Sequence, residues 1–491
     1  MAGIGIKLNN LFEKNTITTH LAGFAYSSMS TVTPMLVVIL NILLMGYFLG
    51  FSRLGFVERE LFSCTVLYIF IFALLTAAPF NSVLSKYMSD VIYEERYEDI
   101  RPCFFFGLFL NISLSSLLGI PFCLWEHFVG KVDVFYTFTG YCGYIGLVMV
   151  FYSMIYLSIS KDYQKISLFF LIGMVWAFLF SLFLRFIMHW GIRESMLFAL
   201  MTGFFLTAFL ELAIIKRYFV KNSNRYSSIL RYFRKYWKLV VANFFYILGL
   251  YIHNFVFWNT EMRLVVVKTF VCNQPYDMAT CLAMFTNISA TIIFITRVEM
   301  HFHDKYKAYS EAVIGGKGAD IDSARKEMFR QLSAELMNLV RIQFIITAVV
   351  YLIAVVYLPE FGISTLTMRI YPCLAAGYFI LFLMYSEIIF LQYFDDLTGA
   401  MATSLIFCSV TFLGSLAATR LPEVWYGIGV VMGAFCGWTF AYFRIRFMEK
   451  HLDAHIFCRG SLLKPGMGTR PPGQVYTKNE KTTENGAVQR L

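Results

Sequence analysis

The chain has 491 residues, 58% of them hydrophobic and 18% aromatic, with only 15% charged and a formal net charge of +10. Soluble domains carry roughly a quarter charged residues, so this composition excludes a water-soluble enzyme. The positive balance has to be read against membrane topology before nucleic acid is considered.

The opening "MAGIGIKLNNLFEKNTITTH" lacks an uninterrupted apolar core with a small-residue cleavage site behind it, so it does not read as a signal peptide. Residues 1–27 are expected to form an amphipathic lead-in on the inner membrane surface. Twelve apolar stretches then follow, near 28–50, 63–86, 103–125, 135–159, 166–189, 195–215, 238–258, 277–298, 342–358, 370–394, 401–419 and 424–443. Most are long enough to cross the roughly 30 Å hydrocarbon core as helices. The fold class is therefore an all-α polytopic membrane protein.

Basic residues set the orientation. With both termini on one side, that side holds 31 of the 41 lysines and arginines and the opposite loops hold 8. By the positive-inside rule both termini are cytoplasmic, and the net charge reports topology and attraction to the inner leaflet, with no nucleic-acid partner. The segment 216–238, "KRYFVKNSNRYSSILRYFRKYWK", has eight basic residues and no acidic one. Tyr226, Ile229, Phe233, Tyr236 and Val240 recur in it at helical spacing, which suits a helix lying in the headgroup region. It divides the chain into an N-terminal bundle (28–220), a basic linker (221–237) and a C-terminal bundle (238–443), six spans each, arranged around a central cavity. Residues 444–491 form a basic tail, rich beyond about 455 in Gly, Pro, Thr and Lys, that is expected to be disordered.

Three local patterns invite chemistry and are better read as structure. In "RVEMHFHDKY", His301 and His303 are two apart, about 200° around a helix, and cannot grip one metal. The segment instead leaves the membrane into a cytoplasmic hairpin, 300–341. Phe302, Tyr306, Tyr309 and Val313 lie on one face of its first helix, "GGKG" makes the break, and Ile321, Met328, Leu332, Leu336 and Leu339 face inward on the second. Asp395–Asp396, the nearest candidate for paired carboxylates, sit at a tight turn where capping is the commoner role. The ten cysteines are scattered without C-x-x-C spacing, which implies small apolar packing and no disulfide or zinc framework.

The chain resembles the Pel exopolysaccharide transporter family, PelG, of the multidrug/oligosaccharidyl-lipid/polysaccharide exporter superfamily. "MAGIGIKLNNLF" is similar to the family's "MAGIGFEL" opening, with Ile6 and Lys7 departing from it. "SKYMSDVIYEERYEDI" (85–100), "SISKDYQKI" (158–166), "YILGLYIHNFVFW" (246–258), "ITRVEMHFHDKY" with "AVIGG", and "QYFDDLTGA" (392–400) carry the rest, to about residue 450. The resemblance implies a non-enzymatic exporter, without cofactor, of an amino-sugar-rich, Pel-type polysaccharide across the bacterial cytoplasmic membrane during biofilm matrix production. It also implies partners: a cytoplasmic glycosyltransferase of the PelF type and membrane proteins of the PelD and PelE type. The hairpin 300–341 and the loop 86–102 are the surfaces assigned to docking. Relatives typically carry an acidic–basic pair where His253 and Asn254 stand, so a mechanism built on that pair does not transfer. A lipid-linked oligosaccharide flippase and a small-molecule antiporter are the alternatives within the same superfamily.

For such a cargo, aromatic rings can stack on the C–H faces of sugars. Tyr26, ahead of span 1, and Tyr246, Tyr251 and Trp258, along span 7, are the candidates. Pro34 and Pro79 are candidate bending points in spans 1 and 2. Glu387 in span 10 and His253 in span 7, with Asn254, are the intramembrane polar groups expected to matter for transport. Glu387 would attract a cationic polymer or exchange a proton; otherwise it is a protonated group joining two helices. His253 could equally be a neutral ring in a structural hydrogen bond.

Overall fold

The computed structural model describes residues 33–459, apart from 160–162, 220, 221, 224, 295–297 and 299. The whole N-terminal lead-in with Tyr26, together with Arg297 and Glu299, lies outside the described residues, as does the chain from 460 onward. Fourteen α-helices are present among the described residues. The first six are α1 (Thr33–Leu49), α2 (Phe56–Tyr93), α3 (Ile100–Phe128), α4 (Val134–Ile159), α5 (Tyr163–Phe186) and α6 (Ile192–Tyr218). A short α7 (Tyr226–Lys235) leads into α8 (Trp237–Phe257), a β-hairpin (β1, Leu264–Val266; β2, Phe270–Cys272) and α9 (Gln274–Ile293). Then come α10 (Met300–Gly315), α11 (Gly318–Tyr357), α12 (Thr365–Tyr393), α13 (Leu397–Ala418) and α14 (Ile428–Arg459).

Twelve of these helices match the twelve apolar stretches one to one. Ten are long and apolar enough to cross a membrane; α1 is shorter, and α9 opens on polar residues. In the N-terminal six, α4 packs on α2, α3 and α6, and α1 on α5. In the C-terminal six, α8 packs on α13, and α9 on α11 and α12. Between the two bundles α2 lies along α8. Hydrocarbon gives helices no hydrophobic reason to associate, so close backbone approach does the work. A Cβ at Gly433 would fall 2.0 Å from Thr411 Oγ1 and 2.9 Å from the Phe407 carbonyl, and one at Gly249 would fall 2.4 Å from Phe407.

Several boundaries differ from the sequence reading. α2 runs 38 residues, about 57 Å, because between Gly55 and its end only Pro79 interrupts good helix formers. α11 runs 40 residues without a break, so the second hairpin helix and span 9 are one rod. Residues 444–459, assigned to the disordered tail, continue α14: "RIRFMEKHLDAHIFCR" has neither Gly nor Pro, and Arg446 pairs with Glu449 one turn on at 2.8 Å. The β-hairpin is an element the helical reading missed. Its strands are "LVV" and "FVC", rich in β-branched residues, and Val267 (φ +50°) and Lys268 (φ +64°) turn between them.

In the basic linker the expected apolar face is buried or half-buried except at Tyr226, which is exposed. In α7, Ile229 is buried while Arg231, Arg234 and Lys235 are exposed. Tyr232 donates to Asp90 of α2 at 2.8 Å, and Tyr87 and Ser228 share a hydrogen bond of 3.0 Å. Burial, followed by the Asp90 charge, pushes the Tyr232 hydroxyl above its ordinary value, so it stays a donor. α10 and α11 pack together with a Lys305–Glu327 ion pair of 2.6 Å. Phe302 and Phe329 dock this hairpin on the end of α12, their ring centroids 4.7 Å from Phe390 and 5.2 Å from Phe394. Both His301 and His303 fall within α10. Asp396 caps α13, its Oδ1 accepting from the Gly399 N–H at 3.2 Å, while Asp395 takes the turn at φ +55°.

Gly433→Leu should force α13 and α14 apart and cost about 1–3 kcal/mol, read as a lower melting temperature in detergent. Gly315→Ala, with nothing within 4 Å of the added Cβ, should leave it unchanged or slightly raised.

Candidate functional site

The candidate residues on α8 fall into two groups. At the end that meets the β-hairpin, three helices converge on His253, which is fully buried at 0% exposure. Its Nδ1 is 2.9 Å from the Tyr276 hydroxyl of α9 and its Nε2 is 3.2 Å from that of Tyr378 on α12. The single Tyr378 proton is donated to the Leu250 carbonyl at 3.2 Å. Its oxygen must therefore accept from His253 Nε2–H, leaving Nδ1 to accept from Tyr276. His253 is a neutral ring bolting α8, α9 and α12 together.

One residue on, Asn254 is 3% exposed and donates from Nδ2 to Asp277 Oδ1 at 2.7 Å and to Thr280 Oγ1 at 3.3 Å. Trp258 donates from Nε1 to both oxygens of the same carboxylate, at 2.9 and 3.0 Å. The Asn273 N–H adds a bond of 3.0 Å to Asp277 Oδ2. Asp277 lies in the first turn of α9, where a negative charge is favoured, and Asn273 caps that helix. The sequence reading missed Asp277. Its signal was the N-cap string "NQPYD" (273–277), which ends on the first residue of the eighth apolar stretch. Asn254 Oδ1 has no hydrogen-bond partner among the described residues.

The other candidates lie apart from this cluster. Tyr246, half-buried, stacks on Tyr385 with centroids 4.6 Å apart. Tyr251 is buried; Trp258, which belongs to the Asp277 cluster, also stacks its ring on Tyr68 of α2 at 5.1 Å and 6°. Glu387, on α12 and 4% exposed, accepts from Trp438 Nε1 of α14 at 3.1 Å. Its Oε2 has no partner among the described residues. Nine residues, about 13 Å of helix rise, separate it from Tyr378. Pro79 is buried inside α2. Pro34 is the second described residue of α1, and the turn it would bend lies outside the described residues.

Glu211, near the end of α6, is a further buried acid. By its position it would reach toward the headgroups, yet it is wholly buried in the N-terminal bundle, where Ser153 of α4 donates to its Oε2 at 2.5 Å. Its other oxygen, Oε1, has no partner among the described residues. Each bundle thus holds a buried carboxyl group with one bonded and one unsatisfied oxygen.

Asp277→Ala should strand the donors of Trp258, Asn254 and Asn273 and cost about 1–3 kcal/mol for each donor left buried. Trp258→Phe removes a single donor and should cost less. Equal losses in thermal melts of the two variants would show that Asp277 is not the hub.

Comparison with solved structures places this architecture. An inward-facing multidrug resistance MATE family transporter of the MOP superfamily aligns over 86% of this chain and 96% of its own, with a TM-score of 0.59 at 12% identity. An outward-facing MATE family transporter of that superfamily aligns over 88% and 96%, with a TM-score of 0.57 at 14% identity. A MATE structure in a bent conformation aligns over 87% and 96%, with a TM-score of 0.57 at 13% identity. The shared fold is the twelve-helix, two-bundle transporter. No curated protein matches the chain. A family profile described as "PelG: Putative exopolysaccharide Exporter (EPS-E)" matches residues 1–457. A match over nearly the whole chain, on a multi-pass exporter fold, is decisive: the chain belongs to the PelG family of exopolysaccharide exporters.

Proposed function

We propose that this exporter carries an amino-sugar-rich, Pel-type polysaccharide across the bacterial cytoplasmic membrane for biofilm matrix, without catalysing a reaction itself. The observation that carries the reading is the family match, which runs through both bundles and through the α10–α11 hairpin between their spans. The excess of basic residues on one side supports an orientation with α7, the hairpin and both termini in the cytoplasm. The β-hairpin then faces the opposite compartment. The long rod of α11 and the hairpin packed on it offer a docking surface for a PelF-type glycosyltransferase, with the loop 86–102 beside PelD- and PelE-type membrane proteins.

In this reading Glu387 and Glu211 are the polar groups at depth that a moving cationic chain or a proton could address. A carboxyl group buried with one oxygen unsatisfied is costly to keep charged, so it either meets cargo or carries a proton. The Glu387–Trp438 bond also joins α12 to α14, which is the structural alternative for this residue.

Deleting the chain from its host should abolish secreted polymer, and hydrolysis of wild-type polymer should yield amino sugars. A polymer of neutral hexoses alone would overturn the cargo assignment. Glu387→Gln keeps an oxygen for Trp438 and should lower secretion about tenfold, equivalent to roughly 1.4 kcal/mol, at an unchanged level in the membrane. Wild-type secretion from that variant at both mildly acidic and mildly alkaline external pH would make Glu387 purely structural.

A further inference from the structure

The seam between the bundles holds a feature that the spacing of the cysteines conceals. Cys64 lies on α2 in the N-terminal bundle, and Cys272 closes strand β2 of the hairpin that follows α8. They are 208 residues apart in sequence, yet their sulfur atoms lie 3.2 Å from each other. Cys64 is 2% and Cys272 4% exposed. Both segments are held rigidly. Tyr68, one helical turn beyond Cys64, donates to the Val271 carbonyl at 2.7 Å and accepts from the Val271 N–H at 3.0 Å. Its ring packs against Phe270 (5.0 Å) and Trp258 (5.1 Å). The 3.2 Å between the sulfurs leaves little more than about 1 Å to close to the roughly 2.0 Å of a disulfide bond.

We infer that Cys64 and Cys272 form a disulfide site that locks the N-terminal and C-terminal bundles together at the face bearing the β-hairpin. The oxidant is a disulfide of the dithiol–disulfide oxidoreductase class. One cysteine thiolate attacks it to give a mixed disulfide, and the second displaces the oxidant's thiolate. The oxidant leaves as a dithiol carrying the two electrons, and the two cysteines give up their protons. Because both sulfurs are buried while the seam is shut, the mixed disulfide forms when α2 and the hairpin part, and the internal bond forms when they close. As dithiol the seam can open; as disulfide it cannot. The oxidising surroundings rest on the orientation proposed above, which puts the hairpin outside the cytoplasm.

Thiol counting on the full-length protein tests this. Purified after treatment of cells with a disulfide oxidant, then denatured and alkylated, the wild type should show two fewer reactive thiols without reductant than after reduction. Cys64→Ser/Cys272→Ser should show no such difference. The same treatment should stop polymer secretion by the wild type, reversibly on adding reductant, and leave Cys272→Ser secreting at its untreated rate. Equal thiol counts in the oxidised wild type with and without reductant would overturn the site. Undiminished secretion with the pair fully oxidised would overturn the lock. Orientation is read separately, by labelling Glu261→Cys, in the exposed turn before β1, with an impermeant maleimide on intact cells in the doubly substituted background. If it is not labelled, the orientation fails, while the thiol count after added oxidant still decides the site.

Discussion

The contact of α2 with α8 sets the relation between the two bundles, and it is pinned at both ends by different chemistry. At the β-hairpin end the pin is aromatic: Tyr68 of α2 stacks on Trp258 and uses its hydroxyl on both backbone polar groups of Val271. At the other end Val83, Tyr236 and Leu239 form a small apolar cluster, with Lys86 lying over the Tyr236 ring at 5.0 Å. A transporter that exposes its interior to each side in turn must be able to release contacts at the ends of such a seam. The stacked, hydrogen-bonded end requires several directed bonds to break together. At the end bearing Lys86, a partly exposed ion pair with Asp395 (3.9 Å) can exchange with water.

Inside each bundle, polar groups act as glue between helices. In the C-terminal bundle Asn287 donates to the Ala375 carbonyl and accepts from Gln343 and Thr347, tying α9 to α12 and α11. His253 does the same for α8, α9 and α12 through two tyrosines. These networks are satisfied, and a satisfied buried network rigidifies what it joins. Glu211 and Glu387 differ, because each spends one oxygen on a neighbour and the other has no partner among the described residues. The satisfied networks and the carboxyl groups with a spare oxygen thus fall on different residues.

His253 and Trp258 show how a role can shift between sequence and structure. Both attract notice in the sequence as polar or aromatic groups on an apolar helix. In the structure each is a positioning group: the imidazole holds three helices, and the indole N–H holds the Asp277 carboxylate. The acidic partner that the seventh span lacks in sequence is supplied in space by the start of the next helix. Of the aromatic candidates among the described residues, Tyr246, half-buried and stacked on Tyr385, is the one that is not buried.

Period and composition by themselves determined the helical class and the twelve apolar helices, and pointed to a tight turn at Asp395–Asp396. They could do so because hydrocarbon allows only helices or closed barrels, and continuous apolar runs of this length select the helix. Tertiary structure alone decided which distant residues meet. Asp277 with Trp258, Glu211 with Ser153 and Cys64 with Cys272 are 19, 58 and 208 residues apart. No local pattern encodes such pairs; they depend on which helix lies beside which and at what rotation. Helix ends, too, escaped the hydropathy pattern. α2, α11 and α14 continue past the apolar stretch because a helix stops where backbone hydrogen bonding is interrupted, not where hydrophobicity ends.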